Sequence, residues 1–388
     1  MTVKELLQIM VKSGASDLYL TVESPPMFRV EGDTRPYGES KLAANHTEEI
    51  ALSIMSEKQK AVFSEKMEMN LSLYYPGIGR FRVNIFRQKG FVGLVFRQIK
   101  LNIDSLDDLD LPPILKDISL TKRGLVLLVG GTGTGKSTTL AAMIDYRNRS
   151  TSGHIITIED PVEFIHEHKK CLITQREIGF DTISFSEALK NTLRQAPDVI
   201  LIGEIRDQET MEAAVAFAET GHLCLSTLHA NNANQAIERI MNFFPPEKHE
   251  QIYFQLSLNI RALISQRLVP TVDNKRAAAI EILIDSPRVK DLIMKRQIDV
   301  LKEAMTEGTR EGMQTFDQSL FAFYKAGKIS YENAMAYADS ANDLRLRIKM
   351  DEISEKGENP EKEPPGTEQK RPDPSETFRL KSDTSSLD

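Results

Sequence analysis

The chain has 388 residues, of which 40% are hydrophobic and 27% charged, a composition typical of a soluble globular protein with two packed domains and a tail. Its formal net charge is −7, and residues 351–388 contribute −5 of it, so the folded part lacks the basic excess that nucleic-acid binding normally requires. The cysteines Cys171 and Cys224 do not have disulfide or zinc-site spacing, and no apolar run reaches the roughly 18 residues of a membrane span, so we expect a cytoplasmic protein with no nucleic-acid partner.

Residues 1–100 predict a small mixed α+β domain. An amphipathic segment opens it, with apolar residues such as Leu7 and Met10 at helical spacing. A helical stretch, TEEIALSIMSEKQKAVFSEK, separates two pairs of β-rich stretches, and the second pair predicts a hairpin around Lys89 and Gly90. The four predicted strands are SDLYLTV, MFRVEG, GRFRVNIFRQ and GFVGLVFRQI.

An acidic segment with two prolines, IDSLDDLDLPP, predicts an interdomain linker over residues 101–113. Over residues 114–350, near-continuous apolar strands alternate with helical stretches, a pattern typical of a mostly parallel sheet in an α/β domain. The predicted strands are LVLLVG, HIITIE, DVILIG, HLCLST and AAIEILI. Residues 351–388 hold five prolines and few large apolar side chains, and we predict a disordered acidic tail there.

The strongest chemical signal is a full match to the phosphate-binding motif G-x-x-x-x-G-K-[ST], placed after a strand and before a helix. Glycines let the backbone wrap a phosphate chain, Lys136 can reach the β and γ phosphates, and Ser137 can ligate Mg²⁺. The alternative is a glycine-rich turn without a ligand. The motif residues are Gly130, Gly131, Thr132, Gly133, Thr134, Gly135, Lys136 and Ser137.

Two further strands end in acids. PDVILIGEIRD places Glu204 at the end of a buried strand, where it could hold Mg²⁺ through water. HIITIEDPVEFIH places Glu159, Asp160 and Glu163 near another strand end, and a metal ion or an activated water would relieve their repulsion. The alternatives are a capping acid in the first case and an exposed acidic loop in the second.

Two pairs of basic residues have weaker signals. His222 and His229 bracket the strand LCLSTL and are too far apart to ligate one metal ion, so each is either an ordinary polar residue or, for a nucleotidase, a γ-phosphate sensor. Arg82 and Arg97 lie on the predicted hairpin, where arginines are normally solvent-facing.

Four segments, in this order, resemble the Walker A, Asp box, Walker B and His box of secretion-type ATPases: GGTGTGKSTTLAAMID, TIEDPVEFIH, PDVILIGEIRD and GHLCLSTLHANNA. The stretch ASDLYLTVESPPMFRVEGD resembles the opening of the type IV pilus retraction ATPases, the PilT/PilU family, so the resemblance covers residues 1–350. PRVKDLIMKRQ stands where PilT has AIRNLIRE, and this departure, with EGMQTFDQSLF, ADSANDLRLRIKM and the polar tail, looks more like PilU.

The resemblance implies a RecA-like ATPase core, a smaller PAS-like N-terminal domain, and ATP and Mg²⁺ as ligands. It extends the nucleotide site to Thr138 and gives metal or water positioning to Glu159, Asp160, Glu163 and Glu204, with Ser137 and Glu204 as metal ligands. It also implies that His222 and His229 lie near the phosphates. Arg82 and Arg97 would complete a neighbouring subunit's site and neutralise charge on the transferred phosphoryl group.

The function implied is a homo-hexameric motor at the inner face of the membrane that hydrolyses ATP to retract type IV pili in twitching motility, as a PilU-type accessory to a paralogous PilT-type ATPase. Its other partner would be an inner-membrane platform protein of the pilus. A type II secretion or pilus assembly ATPase, and an ATP-binding ring subunit with a mainly structural role, are the alternatives. A nucleic-acid translocase is disfavoured by the acidic balance.

Overall fold

A computed structural model of the chain describes residues 2–30, 32–99 and 102–357. The helices are α1 (Val3–Lys12), α2 (Ala44–Ile54), α3 (Glu57–Lys66), α4 (Ile114–Leu120), α5 (Lys136–Ser150), α6 (Phe185–Thr192), α7 (Gln208–Glu219), α8 (Ala233–Met241), α9 (His249–Asn259), α10 (Pro287–Met294), α11 (Leu301–Glu307), α12 (Phe316–Lys325), α13 (Tyr331–Tyr337) and α14 (Ala341–Gly357). The strands are β1 (Asp17–Leu20), β2 (Met27–Val30), β3 (Asp33–Pro36), β4 (Glu68–Tyr75), β5 (Gly79–Gln88), β6 (Phe91–Ile99), β7 (Gly124–Val129), β8 (Gly153–Glu159), β9 (Cys171–Glu177), β10 (Val199–Ile202), β11 (Leu223–Leu228), β12 (Ile260–Pro270) and β13 (Arg276–Ile284).

The N-terminal domain is a six-stranded antiparallel sheet in the order β3-β2-β1-β6-β5-β4. Along β5 buried and partly exposed residues alternate, because successive side chains of a strand point to opposite faces. Phe81 and Val83 therefore enter the domain core, and Arg82 points to the other face, opposite Arg97 in the register of β5 and β6. The pattern that builds this core thus places both arginines on one outer face.

The larger sheet has seven strands in the order β13-β12-β7-β11-β10-β8-β9, all parallel except for β13, which runs antiparallel to β12. Helices cover both faces, and successive residues of β7, such as Leu127 and Leu128, enter the cores on opposite faces of the sheet. Strand β7 lies between β12 and β11, with β10, β8 and β9 beyond β11. Ligands of such sheets bind where neighbouring connections diverge, at the carboxyl ends of the strands.

The predicted fold class, a mixed α/β protein with a larger, mostly parallel core and a smaller N-terminal domain, is confirmed. The structure adds four strands that the sequence did not predict, namely β3, β4, β9 and β12. The single helical stretch predicted between the strand pairs is two helices, because Ser56 caps α3 through a reciprocal pair of hydrogen bonds with Gln59.

Both sheets belong to one compact unit, Met1–Leu344, and a second unit begins at Arg345. The described part of the predicted linker packs onto the larger domain, where Leu106 and Leu111 are buried in its core. Helix α14 continues to residue 357, seven residues into the segment predicted as a disordered tail, and residues 358–388 lie outside the described residues. Among the described helices, none is both long and apolar enough to cross a bilayer.

Candidate nucleotide site

The phosphate-binding motif forms the turn between β7 and α5. Gly130 has φ 155° and Gly135, the N-cap of α5, has φ 90°. A Cβ at Gly130 would lie 2.7 Å from the backbone oxygen of Gln266, and one at Gly135 would lie 2.7 Å from the Gln266 amide nitrogen. Both positions therefore require glycine, and β12 holds the loop in this shape from behind.

Lys136 lies inside this turn. It is 8% exposed, and its Nζ donates to the backbone oxygens of Gly130 and Gly131, each at 2.8 Å. Burial lowers the pKa of Lys136. The ammonium group lies at the amino end of a 15-residue helix. A bound phosphate would therefore be stabilised by the lysine charge, by the N–H groups of the first helical turn and by the helix dipole.

A cleft of about 440 Å³ lies beside this loop, between it and the N-terminal domain. In it Arg97 donates from Nε to Asp17 Oδ1 at 2.8 Å, and this hydrogen bond raises the pKa of the arginine. The cleft is large enough for a small molecule. It is lined by Ser16, Arg97, Gln98, Gly133, Thr134, Gly135, Lys136, Ser137, Thr138, Glu163, Phe164, Leu268 and Arg276.

Arg82 also faces the acids of its own chain. Burial lowers its pKa, and the charges of Glu163, Glu177 and Asp160 oppose that shift. One terminal nitrogen of Arg82 is buried without a hydrogen-bond partner among the described residues. Arg97 lines the cleft beside the P-loop of its own chain, and the acids whose charges act on Arg82 belong to the same chain. The expectation that both arginines serve a neighbouring subunit stays a prediction.

The Asp box follows β8, the strand next to β10. Glu159 accepts from the Thr157 hydroxyl at 2.6 Å and from the Gln175 amide at 3.4 Å. Burial raises the pKa of Glu159 to about 7, so this carboxylate is suited to exchange a proton with water near neutral pH. Asp160 and Glu163 are exposed at the same strand end.

Glu204 lies at the carboxyl end of β10, in a small cluster of charged and polar side chains. It forms an ion pair with Arg206, and its Oε2 lies 3.5 Å from His229 Nε2. Asp160 lies 3.9 Å from the same arginine. Burial, then the charges of Lys136 and Arg206, lower the pKa of His229, which favours the neutral imidazole.

His222 is the one predicted residue that the structure separates from this group. It precedes β11, whereas His229 follows it, and its Nδ1 contacts the Thr220 hydroxyl at 3.1 Å. Because a strand rises about 3.3 Å per residue, the separation of seven residues puts His222 roughly 20 Å from His229, at the opposite end of β11. The prediction that His222 lies near the phosphates is wrong for the site of its own chain.

Oxygen donors that suit Mg²⁺ lie at the site. Among the described residues no three His, Cys, Asp or Glu side chains form a metal cage. Mg²⁺ is commonly bound through one or two protein oxygens together with phosphates and water. One narrow pocket is lined by Ser137, Glu159, Glu163 and Gly203, the residue before Glu204, so oxygen-bearing side chains lie where the motif predicts the metal ion.

Sequence reasoning missed four residues of this region. Glu177 ends β9 beside Glu159 and is 2% exposed. An acidic residue at a strand end, the pattern that indicated Glu159 and Glu204, could have indicated it. His166 lines the pocket that holds Ser137, and Arg206 pairs with Glu204. Gln266, which accepts from the Thr139 hydroxyl at 2.8 Å, had no signal because its partners come from a distant segment.

A P-loop between β7 and α5, with acids at the ends of β8 and β10, defines a RecA-like P-loop nucleotide-binding protein. The family model described as "Type II/IV secretion system protein" matches residues 2–352. The chain therefore belongs to that family, and the predicted resemblance to it is confirmed.

Named relatives agree with this assignment. The type IV pilus ATPase PilU of Pseudomonas aeruginosa is 56% identical over 351 residues, which cover 90% of this chain and 92% of the relative. The pilus retraction ATPase PilT of the same organism is 44% identical over 334 residues, 86% of this chain and 97% of the relative. The crystal structure of the pilus retraction motor PilT with bound ADP matches with a TM-score of 0.83 and 39% identity, over 89% of this chain and 99% of that one.

Proposed function

We propose that this chain is an ATP-hydrolysing motor subunit of a type IV pilus, working as a homo-hexamer in pilus retraction and as a PilU-type accessory to a PilT-type motor. The observation that carries the proposal is the cleft beside the P-loop, in which Lys136, Glu163 and Arg97 line one cavity. The similarity to PilU and PilT supports the pilus role.

In the proposed reaction the P-loop amides and Lys136 bind the phosphates. Lys136 exchanges its two backbone carbonyl partners for phosphate oxygens. Glu159, whose pKa of about 7 reflects its burial, accepts the proton of the attacking water. Arg82 and Arg97 stabilise the negative charge of the transferred phosphoryl group from the side of the N-terminal domain.

Ser137 and Glu204 are the residues that would hold Mg²⁺, which supplies charge neutralisation at the β and γ phosphates when it is bound. Arg206 and His229 keep the carboxylate of Glu204 oriented at the strand end. Asp160 and Glu163 would position water.

The proposed location is cytoplasmic, at the inner face of the inner membrane, against a platform protein of the pilus. Closure of the N-terminal domain over the cleft is the proposed motion, since Arg97 of that domain and the P-loop of the larger domain line one cavity. Binding of this chain to such a platform protein is measurable by co-purification, and a ring that never binds one contradicts this part of the proposal.

The test is ATP turnover of the purified chain, with its mass in solution recorded on the same sample. We expect turnover from a hexamer, and a loss of about a hundredfold or more in Lys136→Ala and Arg82→Ala. Arg87→Ala is the matched control, because Arg87 lies on the same strand but contacts Glu48 at the domain surface. Nucleotide binding without turnover would favour a supporting ring subunit, and turnover from a monomer would exclude the ring.

A further inference from the structure

Arg267 on β12 connects the loop that carries His229 to the C-terminal helices. Its Nη2 donates to the backbone oxygen of Asn231 at 3.3 Å, two residues after His229. Its Nη1 donates to the backbone oxygen of Tyr337 at 2.9 Å, and Nη2 lies 2.6 Å from Asp339 Oδ1. One guanidinium therefore fixes two backbone segments and one carboxylate.

The far side of this contact is itself held in place. Arg267 lies over the ring of Phe316, with Cζ 3.9 Å from the ring centre. The amide of Asp339 donates to Asp317 Oδ1 at 2.8 Å, and Lys302 lies 3.2 Å from Asp317. Two basic groups, Arg267 and Lys302, balance two acidic ones in this cluster, Asp317 and Asp339. Because Arg267 is only 22% exposed, the cluster holds its guanidinium in place better than a solvated ion pair would.

The near side of the contact leads to the reacting region. The His229 imidazole lies 3.5 Å from Glu204, and helix α8 begins at Ala233, whose amide donates to Glu281 at 2.7 Å. Between these two points the backbone of the loop is tied by Arg267. A displacement of the loop by about 1 Å would move the imidazole away from Glu204, and errors of this size can cost a hundredfold in rate.

We propose that Arg267 is a positioning residue for His229, and that through Asp339 and Tyr337 it couples the C-terminal helices to the Glu204 end of the site. Arg267 does not line the cleft beside the P-loop, so the role is one of positioning. The proposal rests on the proposed ATPase function for its kinetic consequence. It also assigns a role to the segment ADSANDL, which contains Asp339 and which the function so far leaves without one.

The experiment compares Arg267→Met with Arg267→Lys and Asp339→Asn in the full-length chain. Met keeps an apolar stem over Phe316 and removes the donors, and Lys keeps the charge without the planar fork. Arg288→Met is the matched control, since Arg288 pairs with Glu307 at the surface of α10. For R267M we expect kcat to fall about tenfold to a hundredfold while KM for ATP changes by less than about threefold. R267K should lie between R267M and the parent chain, and R288M should match the parent.

The role through His229 is tested in a His229→Ala background. There R267M should lower kcat no further, because the imidazole that it positions is gone. An equal loss of kcat in both backgrounds, or an unchanged kcat in R267M, overturns the proposal. If R267M does not fold, R267K and Asp339→Asn carry the same comparison.

Hydrogen exchange separates failure of this inference from failure of the ATPase proposal. Backbone amides of residues 229–233 should exchange several-fold faster in R267M than in the parent chain, and those of the β5–β6 turn should not change. A parent chain without turnover would defeat the ATPase proposal alone. Unchanged exchange at residues 229–233 would defeat the positioning role whatever the turnover.

Discussion

Burial raises the pKa of two carboxyl groups of this chain to near neutral pH. Glu159 at the site and Glu281 on β13 each have a pKa raised to about 7, mainly because a buried charge is penalised. Glu281 is 1% exposed, and its Oε1 accepts from the Ala233 amide and from the Ser265 hydroxyl at 2.9 Å. Glu281 thus ties β13 to β12 and to the start of α8, away from the P-loop.

We predict that Glu281→Gln changes how stability depends on pH. A carboxyl whose pKa is higher in the folded state than in the unfolded state costs nothing below about pH 4.5 and destabilises as pH rises toward 7. The variant should therefore gain on the parent chain between pH 5 and 7, by roughly 3 kcal/mol in all, with no further gain above that.

Urea unfolding midpoints at pH 5, 6, 7 and 8 measure the difference between Glu281→Gln and the parent. Glu303→Gln, an exposed acid on α11, is the control and should differ from the parent by the same amount at each pH. A pH-independent difference for Glu281→Gln would mean that the carboxyl is ionised throughout this range.

At the residue scale, motif chemistry predicted Lys136, Glu159, Glu204 and His229 as members of one site, and the structure brings them to one sheet edge. The motif could not predict Gln266, because its partners lie more than a hundred residues away along the chain. His222 was misplaced for a related reason. Two histidines that bracket a strand lie at its opposite ends, and the ligand site of such a sheet lies only at the carboxyl ends of the strands.

The contact between the P-loop and β12 gives a prediction about backbone space. A Cβ at Gly130 would lie 2.7 Å from a backbone oxygen of β12, whereas one at Gly131 would meet nothing nearer than 4.0 Å. Gly130→Ala should lower the unfolding free energy of the nucleotide-free chain by about 1–3 kcal/mol. Gly131→Ala should stay within about 0.5 kcal/mol of the parent.

Chemical denaturation of both variants without nucleotide measures this difference. The comparison isolates packing from phosphate binding, because no phosphate is present. Equal stabilities of the two variants would show that β12 does not hold the loop from behind.

Apolar pattern at the element scale predicted most strands of the larger sheet but missed β9 and β12. Strand β12 carries Gln266 and Arg267 among apolar residues, so its pattern resembles neither a continuous apolar run nor a clean alternation. Gln266 is buried and Arg267 half-buried there, and they bond to Thr139 and Asp339 respectively. Strand β3 is exposed along its length and left no apolar signal.

The largest scale is the arrangement of the N-terminal domain over the larger sheet, which no motif predicts. Arg82 and Arg97 are predicted to serve a neighbouring subunit. Within one chain the strand register places them together and Arg97 lines the cleft beside the P-loop, so which chain receives them stays a prediction. The sequence identifies such arginines but not the P-loop, of their own chain or of a neighbour, that receives them. The arrangement of the domains decides that.

Mixing two inactive variants tests which chain receives the arginines. In Lys136→Ala the N-terminal arginines are intact, and in Arg82→Ala the P-loop is intact. If both groups act within one chain, every site in a mixed ring lacks one of them, and we expect turnover no higher than the sum of the separate variants. Subunit exchange is verified by co-purification of an untagged variant with a tagged one. Recovery of turnover in exchanged rings would mean that Arg82 acts across the subunit boundary, and that the intramolecular cleft is not the catalytic arrangement.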